Sequence, residues 1–443
     1  MRIATVQGAH HETISLKYDS DMNANLARQI AGAIQSGLKD GTIFAADNAD
    51  GRPPVPPPGG ATGELVVSIS GTTLLPPGYD YVVDSAKRAV IFGNGDANEQ
   101  VLAGKGNLSF FATGGSGSVI AGGGDDLVSV APTDAGNWLI ALGNGDDSVR
   151  ALGGGNDTIS LGSGHSIIQL GSGSTFVTTT GSDTVMAGSG SETIDASGSC
   201  GTEVIYGNTS NLFFVASGAA TVLGGSGSDT VFGGSGRDLF EGGSAGNNFL
   251  QAGSGSATLF GGGNGDQLYA AGHKDQALHA ASGNETLSGA FASGHDTFYG
   301  GSGSDQIFGG AGKNTFVAGT GAATVTANPG SSNVFEFMKS MGKGTELVMG
   351  LTDVSQVHID LVGYGSNEVK FALAHQQTNG DSVTITLSDQ TMVTFQNLGL
   401  LSSGNFAGGH TSHDGSDGSH GHGEHSDDSH ERWGHSDDHG HRF

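Results

Sequence analysis

Gly224-Gly-Ser-Gly-Ser-Asp229-Thr-Val231-Phe232 is followed without a break by Gly233-Gly-Ser-Gly-Arg-Asp238-Leu-Phe240-Glu241. The same unit of nine residues is written twice, as Gly-Gly-x-Gly-x-Asp-x-apolar-x. Self-similarity at a fixed short period is the signature of a solenoid. Nine residues are too few for a helical hairpin and suit one turn plus one short strand. The glycines supply positive φ and close backbone approach in the turn. The apolar residue two places after the aspartate points inward and its neighbours point outward, as strand alternation requires. Two units then make one coil, and stacked coils give two parallel sheets facing across a thin core.

The period extends well beyond these two units. It runs from Leu142-Gly-Asn-Gly-Asp-Asp147-Ser-Val149 to about Val334. The predicted inward ladder includes Val149, Ile159, Ile168, Phe213, Val222, Val231, Phe240, Phe298 and Val325, with a weak rung at Ala277 and Leu278. β-branched and aromatic residues dominate it, as parallel strands prefer. About twenty arms, two per coil, at about 4.8 Å between coils predict a rod roughly 50 Å long. The aspartate position is less regular. It carries acid at Asp126, Asp147, Asp157, Asp183, Glu192, Glu203, Asp229, Asp238, Asp266, Asp275, Glu285, Asp296 and Asp305. Elsewhere it reads Ser166, Thr175, Asn211, Ala220, Asn248, Ala257, Asn314 and Ala323. The core pattern therefore persists where the acid pattern fails.

Over roughly residues 115–400 the chain resembles the hemolysin-type calcium-binding repeat proteins of the RTX family, most specifically in the full nonapeptides at 224–241 and 300–308. That resemblance implies an all-β parallel β-roll, or β-solenoid. It also implies several Ca²⁺ ions held between coils by the repeat acids and turn carbonyls. The implied calcium residues are Asp126, Asp147, Asp157, Asp183, Glu203, Asp229, Asp238, Asp266, Asp275, Glu285, Asp296 and Asp305. Same-side acid pairs are expected at Asp183 with Glu203, Asp266 with Glu285, Glu285 with Asp305, and Asp275 with Asp296. Hard oxygen ligands favour Ca²⁺ over transition metals. Relatives of this kind are usually exported by type I secretion.

Composition agrees with such an array. There are 81 glycines in 443 residues, apolar content is 35% and the net charge is −27. A chain this acidic repels nucleic acid and anionic membranes and attracts divalent cations. The single cysteine, Cys200, excludes an intrachain disulfide. Met1-Arg-Ile-Ala-Thr lacks the apolar core of a secretory signal peptide, and no run of 18 apolar residues could span a membrane. A type I secretion substrate and a cytosolic protein would both look like this; the repeats favour a bacterial extracellular or cell-surface location.

The flanks organise around the roll. Residues 1–52 contain a predicted helix over Asp19–Lys39, capped by Ser20 or Asp21, closed by Gly41 and bearing Leu26, Ile30, Ile34 and Leu38 on one face. Residues 53–60 are a proline/glycine linker. Residues 61–120 read as a β-rich lead-in, 121–336 as the roll and 337–403 as a C-terminal β cap that includes a strand at Val369–Leu373. Residues 404–443 are low-complexity, rich in histidine and acid, and expected to be disordered. His410, His413, His420, His422, His425, His430, His435, His439 and His441 there suit a transition metal such as Zn²⁺ or Ni²⁺.

No zinc-protease motif or nucleophile elbow is present, and no enzyme is expected. The reading is a non-catalytic, secreted or surface-associated structural or adhesin-like protein whose partners would be a glycan, a cell surface or a matrix. The alternatives are a Zn, Ni or Cu buffer or sensor acting through the tail, and the roll module of an extracellular enzyme or toxin.

Overall fold

A computed structural model describes residues 2–407. The tail histidines, His410 to His441, lie outside the described residues. The solenoid expected from the repeat is present. Thr230–Phe232 lies between Leu212–Ala216 and Phe249–Gln251 in a first sheet, and Asp238–Glu241 lies between Ala219–Leu223 and Ala257–Phe260 in a second. All four pairings are parallel. The second sheet has 16 strands, from Gly71–Leu74 to Val357–Val362. At about 4.8 Å per strand this is a rod of roughly 70 Å.

The predicted 50 Å is too short because coiling starts long before the recognisable repeats. Ile43–Asp47, Thr62–Val67, Tyr79–Asp84 and Ala97–Ala103 already belong to the first sheet, and Arg88–Phe92 and Asn107–Ala112 to the second. Strand alternation continues there without the Gly-Gly-x-Gly turn, so the period is hidden.

The inward residues form one continuous core between the sheets. Val149, Ile159, Val222, Phe240 and Leu278 are fully buried. One rung differs from expectation. Phe214 is buried and Phe213 is exposed, because the nine-residue count runs from Ile205 to Phe214 and the following turn is one residue shorter. The turns stack as tightly as the strands. A Cβ on Gly303 would lie 1.3 Å from the carbonyl oxygen of Gly283, and one on Gly255 would lie 1.6 Å from that of Gly236. Neither position has room for any side chain, which is why the spacing of the coils demands glycine there.

The N-terminal segment covers the side of the rod. An antiparallel hairpin, β1 (Ile3–Gln7) and β2 (Thr13–Lys17), precedes helix α1 (Asp21–Asp40). Ser20 caps α1 by accepting the Asn23 N–H, and Gly41 closes it in the left-handed region. The buried face of α1 is the small-residue one, with Ala24, Ala27, Ala31 and Ile34; Leu26, Ile30 and Leu38 pack at its margins. It lies on Val66, Val83, Leu102, Ile120 and Ala141, outward residues of successive first-sheet strands. Asn23 Nδ2 fixes the register by donating to the carbonyls of Ala121, Ala141 and Leu142.

At the other end Met392–Phe395 pairs parallel with Thr345–Met349 and antiparallel with Ser382–Thr386, which closes the stack with a hairpin. The expected strand at Val369–Leu373 is instead part of helix α2 (Glu368–Ala374). A short apolar run cannot be told from a helix by periodicity alone. Here Glu368 accepts the N–H and hydroxyl of Ser388, and Ala372 packs into the core. Residues 404–407, assigned above to the tail, are packed: Phe406 bridges to Ile359 and Asn405 Nδ2 donates to the carbonyls of Val354 and Val357.

Candidate metal centre

Two rows of side chains run along the turns. The inner row stands two residues before each inward apolar residue, and its side chains are buried. Each aspartate there takes an N–H from the same level one coil nearer the N-terminus. Asp147 Oδ1 accepts from Asp126 at 2.9 Å, Asp183 Oδ1 from Ser166 at 2.7 Å, Asp229 Oδ1 from Leu212 at 3.0 Å and Asp238 Oδ1 from Ala220 at 3.0 Å. The outer row, one residue earlier, is exposed and runs the opposite way. Asp125 Oδ1 accepts from the Asp146 N–H, Asn137 Oδ1 from Asn156 and Asn284 Oδ1 from Ser304, each one coil further on. Neighbouring turns are thus clamped in both directions.

The second oxygen of the inner acids has no such partner. Oδ2 of Asp126, Asp147, Asp183, Asp229, Asp238 and Asp296 is buried and unpaired, as are both oxygens of Glu285 and Oε1 of Glu192. Burial pushes the carboxyl of Asp126 up to about 8, that of Asp147 to about 7 and those of Asp157, Asp238 and Asp296 to about 6. Backbone hydrogen bonds only partly offset this, and neighbouring acids add to it: Asp147 acts on Asp126, and Asp125 on Asp147. Buried, unpaired carboxylate oxygens of this kind require a proton or a cation.

The amide-bearing turns reveal the complementary half of the site. Gln276 occupies the inner row, and its Nε2 donates to the carbonyls of Gly253, Gly255 and Ala271 at 2.6–3.0 Å. Asn314 Nδ2 likewise donates to the carbonyls of Gly310 and Gly312. An amide NH₂ there occupies a nest of turn carbonyls that otherwise presents only oxygen. Carboxylate plus carbonyl oxygen is the donor set of Ca²⁺. Among the described residues no three His, Cys, Asp or Glu side chains converge on one point, so turn carbonyls must complete any calcium shell here.

The proposed ligands separate on this basis. Asp126, Asp147, Asp183, Asp229, Asp238, Glu285 and Asp296 each offer a free buried oxygen. In three others both oxygens are hydrogen-bonded: Asp266 by Asn248, Gly262 and Gly263, Asp305 by Glu285 and Gly301, and Glu203 by Thr179 and Asp183. Asp157 accepts the Trp138 N–H. The pairs Asp183–Glu203, Asp266–Glu285 and Glu285–Asp305 are adjacent in register, and so is Asp126–Asp147. Asp275 does not belong to the set. Gln276 holds the inner position facing Asp296, and Asp275 is an exposed outer-row clamp that accepts the His295 N–H at 3.0 Å. Asn211 is displaced in the same way, with Leu212 in the inner row. The turn before Gln276 is one residue longer than nine and the turn after Phe214 one residue shorter, and each moved the count. Buried Glu99 and Glu346, at the same level of the first sheet, escaped the sequence reading because their units lack the glycine signature.

A family model described as RTX calcium-binding nonapeptide repeat (4 copies) matches residues 152–174, 171–199, 216–245, 242–275 and 292–325. The matched segments are RTX repeats. No curated protein matches the chain. The matched RTX segments contain Asp157, Asp183, Asp229, Asp238, Asp266, Asp296 and Asp305, whereas Asp126, Asp147, Glu203 and Glu285 lie outside them in the same stack. This is a calcium-binding repeat protein. Calcium, when bound, would supply the positive charge that the buried carboxylates of the RTX turns lack, and Asp126, Asp147, Asp183, Asp229, Asp238, Glu285 and Asp296, with turn carbonyls, would hold it.

Proposed function

We propose that the protein is a non-catalytic, secreted or surface-associated structural component, adhesin-like in use, whose rod is completed by calcium outside the cell. The observation that carries this reading is the inner row of buried carboxylates with one oxygen unpaired. Such a row is costly without cations and stable with them, so binding free energy becomes folding free energy. Low calcium inside a cell then leaves the coils unfinished, and millimolar calcium outside closes them. The coils use the chain from Ile43 to Phe395, and what they present is a long lateral surface suited to a glycan, a cell surface or a matrix. No helix among the described residues is long and apolar enough to cross a membrane.

Far-UV circular dichroism of the full chain in EGTA, titrated with Ca²⁺ and with Mg²⁺ as control, tests the calcium step. A gain of β-signal specific to Ca²⁺ is expected. A spectrum already complete in EGTA and indifferent to Ca²⁺ overturns it. Fractionation of the producing cells tests the location: recovery in the medium or surface fraction is expected, and confinement to the cytosol refutes the assignment.

A further inference from the structure

The outer face of the first sheet carries almost none of the chain's charge. From Leu212–Ala216 through Thr345–Met349 to Met392–Phe395, the outward side chains of its parallel strands include no Asp, Glu, Lys or Arg. The net charge of the whole chain is −27. On this neutral face an aromatic stripe crosses successive coils. Phe213, Phe232, Phe249, Tyr269 and Phe291 follow one another with ring centroids 6.0, 5.5, 5.1 and 6.4 Å apart. Phe213 is 43% and Phe291 68% exposed. Thr230, Gln251, Gln267 and Thr286 fill the places between.

The same face is covered at the N-terminal end of the rod. There Val66, Val83, Leu102, Ile120 and Ala141 lie under α1. The stripe continues that apolar face where no element among the described residues covers it.

We propose that the stripe is a self-association surface, across which two copies of this chain pack first sheet against first sheet about a two-fold axis. The charge distribution selects this occupant. Two chains of −27 repel wherever acidic turns approach, and this sheet face is where identical copies meet without opposing like charges. A cationic partner would be drawn instead to the acidic turns. A two-fold contact is self-complementary, so the stripe meets its own image. Sheets facing at about 10 Å accommodate interdigitated aromatic side chains.

Sedimentation velocity of the full, calcium-loaded chain over a concentration series, at low and high NaCl, tests the proposal. A concentration-dependent dimer that is held or strengthened by salt is expected, because salt screens the residual repulsion and no ion pair holds the contact. Phe213→Ser with Phe291→Ser removes the most exposed rings, and Gln251→Glu places a charge on the middle strand of the stripe, where it faces its two-fold copy. Both variants are expected to sediment as monomers with an unchanged calcium-loaded circular dichroism spectrum. A wild-type chain that stays monomeric at every concentration overturns the proposal, as does a dimer that persists in both folded variants or dissolves in high salt. If the calcium step fails, the spectrum reports that separately, before any mass is read.

Discussion

A buried carboxylate with one bonded and one unpaired oxygen behaves differently from an amide in the same place. In Asp229→Asn the Oδ1 acceptor for Leu212 is retained, and the new NH₂ can reach turn carbonyls as that of Asn248 reaches Ala245. We expect one calcium fewer per chain by titration calorimetry and a higher melting temperature in EGTA. The converse change, Gln276→Glu, strips three carbonyls of their amide donor. It should add calcium dependence at that turn and destabilise the EGTA form by about 1–3 kcal/mol, the cost of buried polar groups left unpaired. The pH dependence follows from the same atoms. Unfolded carboxyls titrate near about 4, whereas burial raises Asp147 and Glu203 to about 7 and Asp126 to about 8. The folded chain therefore binds more protons than the unfolded one across that interval. Its stability without calcium is fully present below about 4 and is lost as pH rises through 6 to 8. Thermal melts in EGTA should fall from pH 5 to pH 8, and saturating Ca²⁺ should abolish that fall. A melt that rises with pH in EGTA would refute the assignment.

At the scale of the element, the fold was legible wherever the glycine signature marks the turn. The nine-residue period placed nearly every inward residue from Val149 to Val325, because an apolar residue must fall inward once per strand whatever the turn contains. It failed at Phe213, Asn211 and Asp275, each beside a turn one residue longer or shorter than nine, where counting slides one place and swaps the inner row for the outer. It also stopped too late at the N-terminus, since strands such as Tyr79–Asp84 stack without the signature. Which acids keep a free oxygen was not legible at all, because it depends on whether the turn's own N–H groups reach the carboxylate, as at Asp266 and Asp305 and not at Asp147. Two elements invite direct tests. Asn23→Leu removes three hydrogen bonds to the coils beneath α1, and hydrogen exchange should accelerate at Ala121 to Leu142 for a loss of about 2 kcal/mol. Gly303→Ala has no space beside the Gly283 carbonyl; the coil must open, and calcium should be lost locally while the N-terminal coils persist.

For the molecule as a whole, nearest-neighbour contact dominates. Each coil touches the one before and the one after, so the stack is nearly one-dimensional and its parts can gain or lose order separately. The alternation of satisfied and unsatisfied acids then grades calcium demand along the rod. The parallel registers have a mechanical consequence. Because every strand bonds to the strands above and below, the hydrogen bonds between coils point along the rod, in line with any force applied at its ends. Such bonds load one coil at a time and give way by peeling. From Val128 to Val325 successive inward residues on one sheet are 17 to 21 residues apart, 17 from Ile168 to Val185 and 21 from Val128 to Val149, so each coil released lengthens the chain by roughly 65 Å. A tether pulled between its termini would yield in a staircase of small, recoverable steps and absorb work at each, with calcium setting the height of the steps and the sequence period their width.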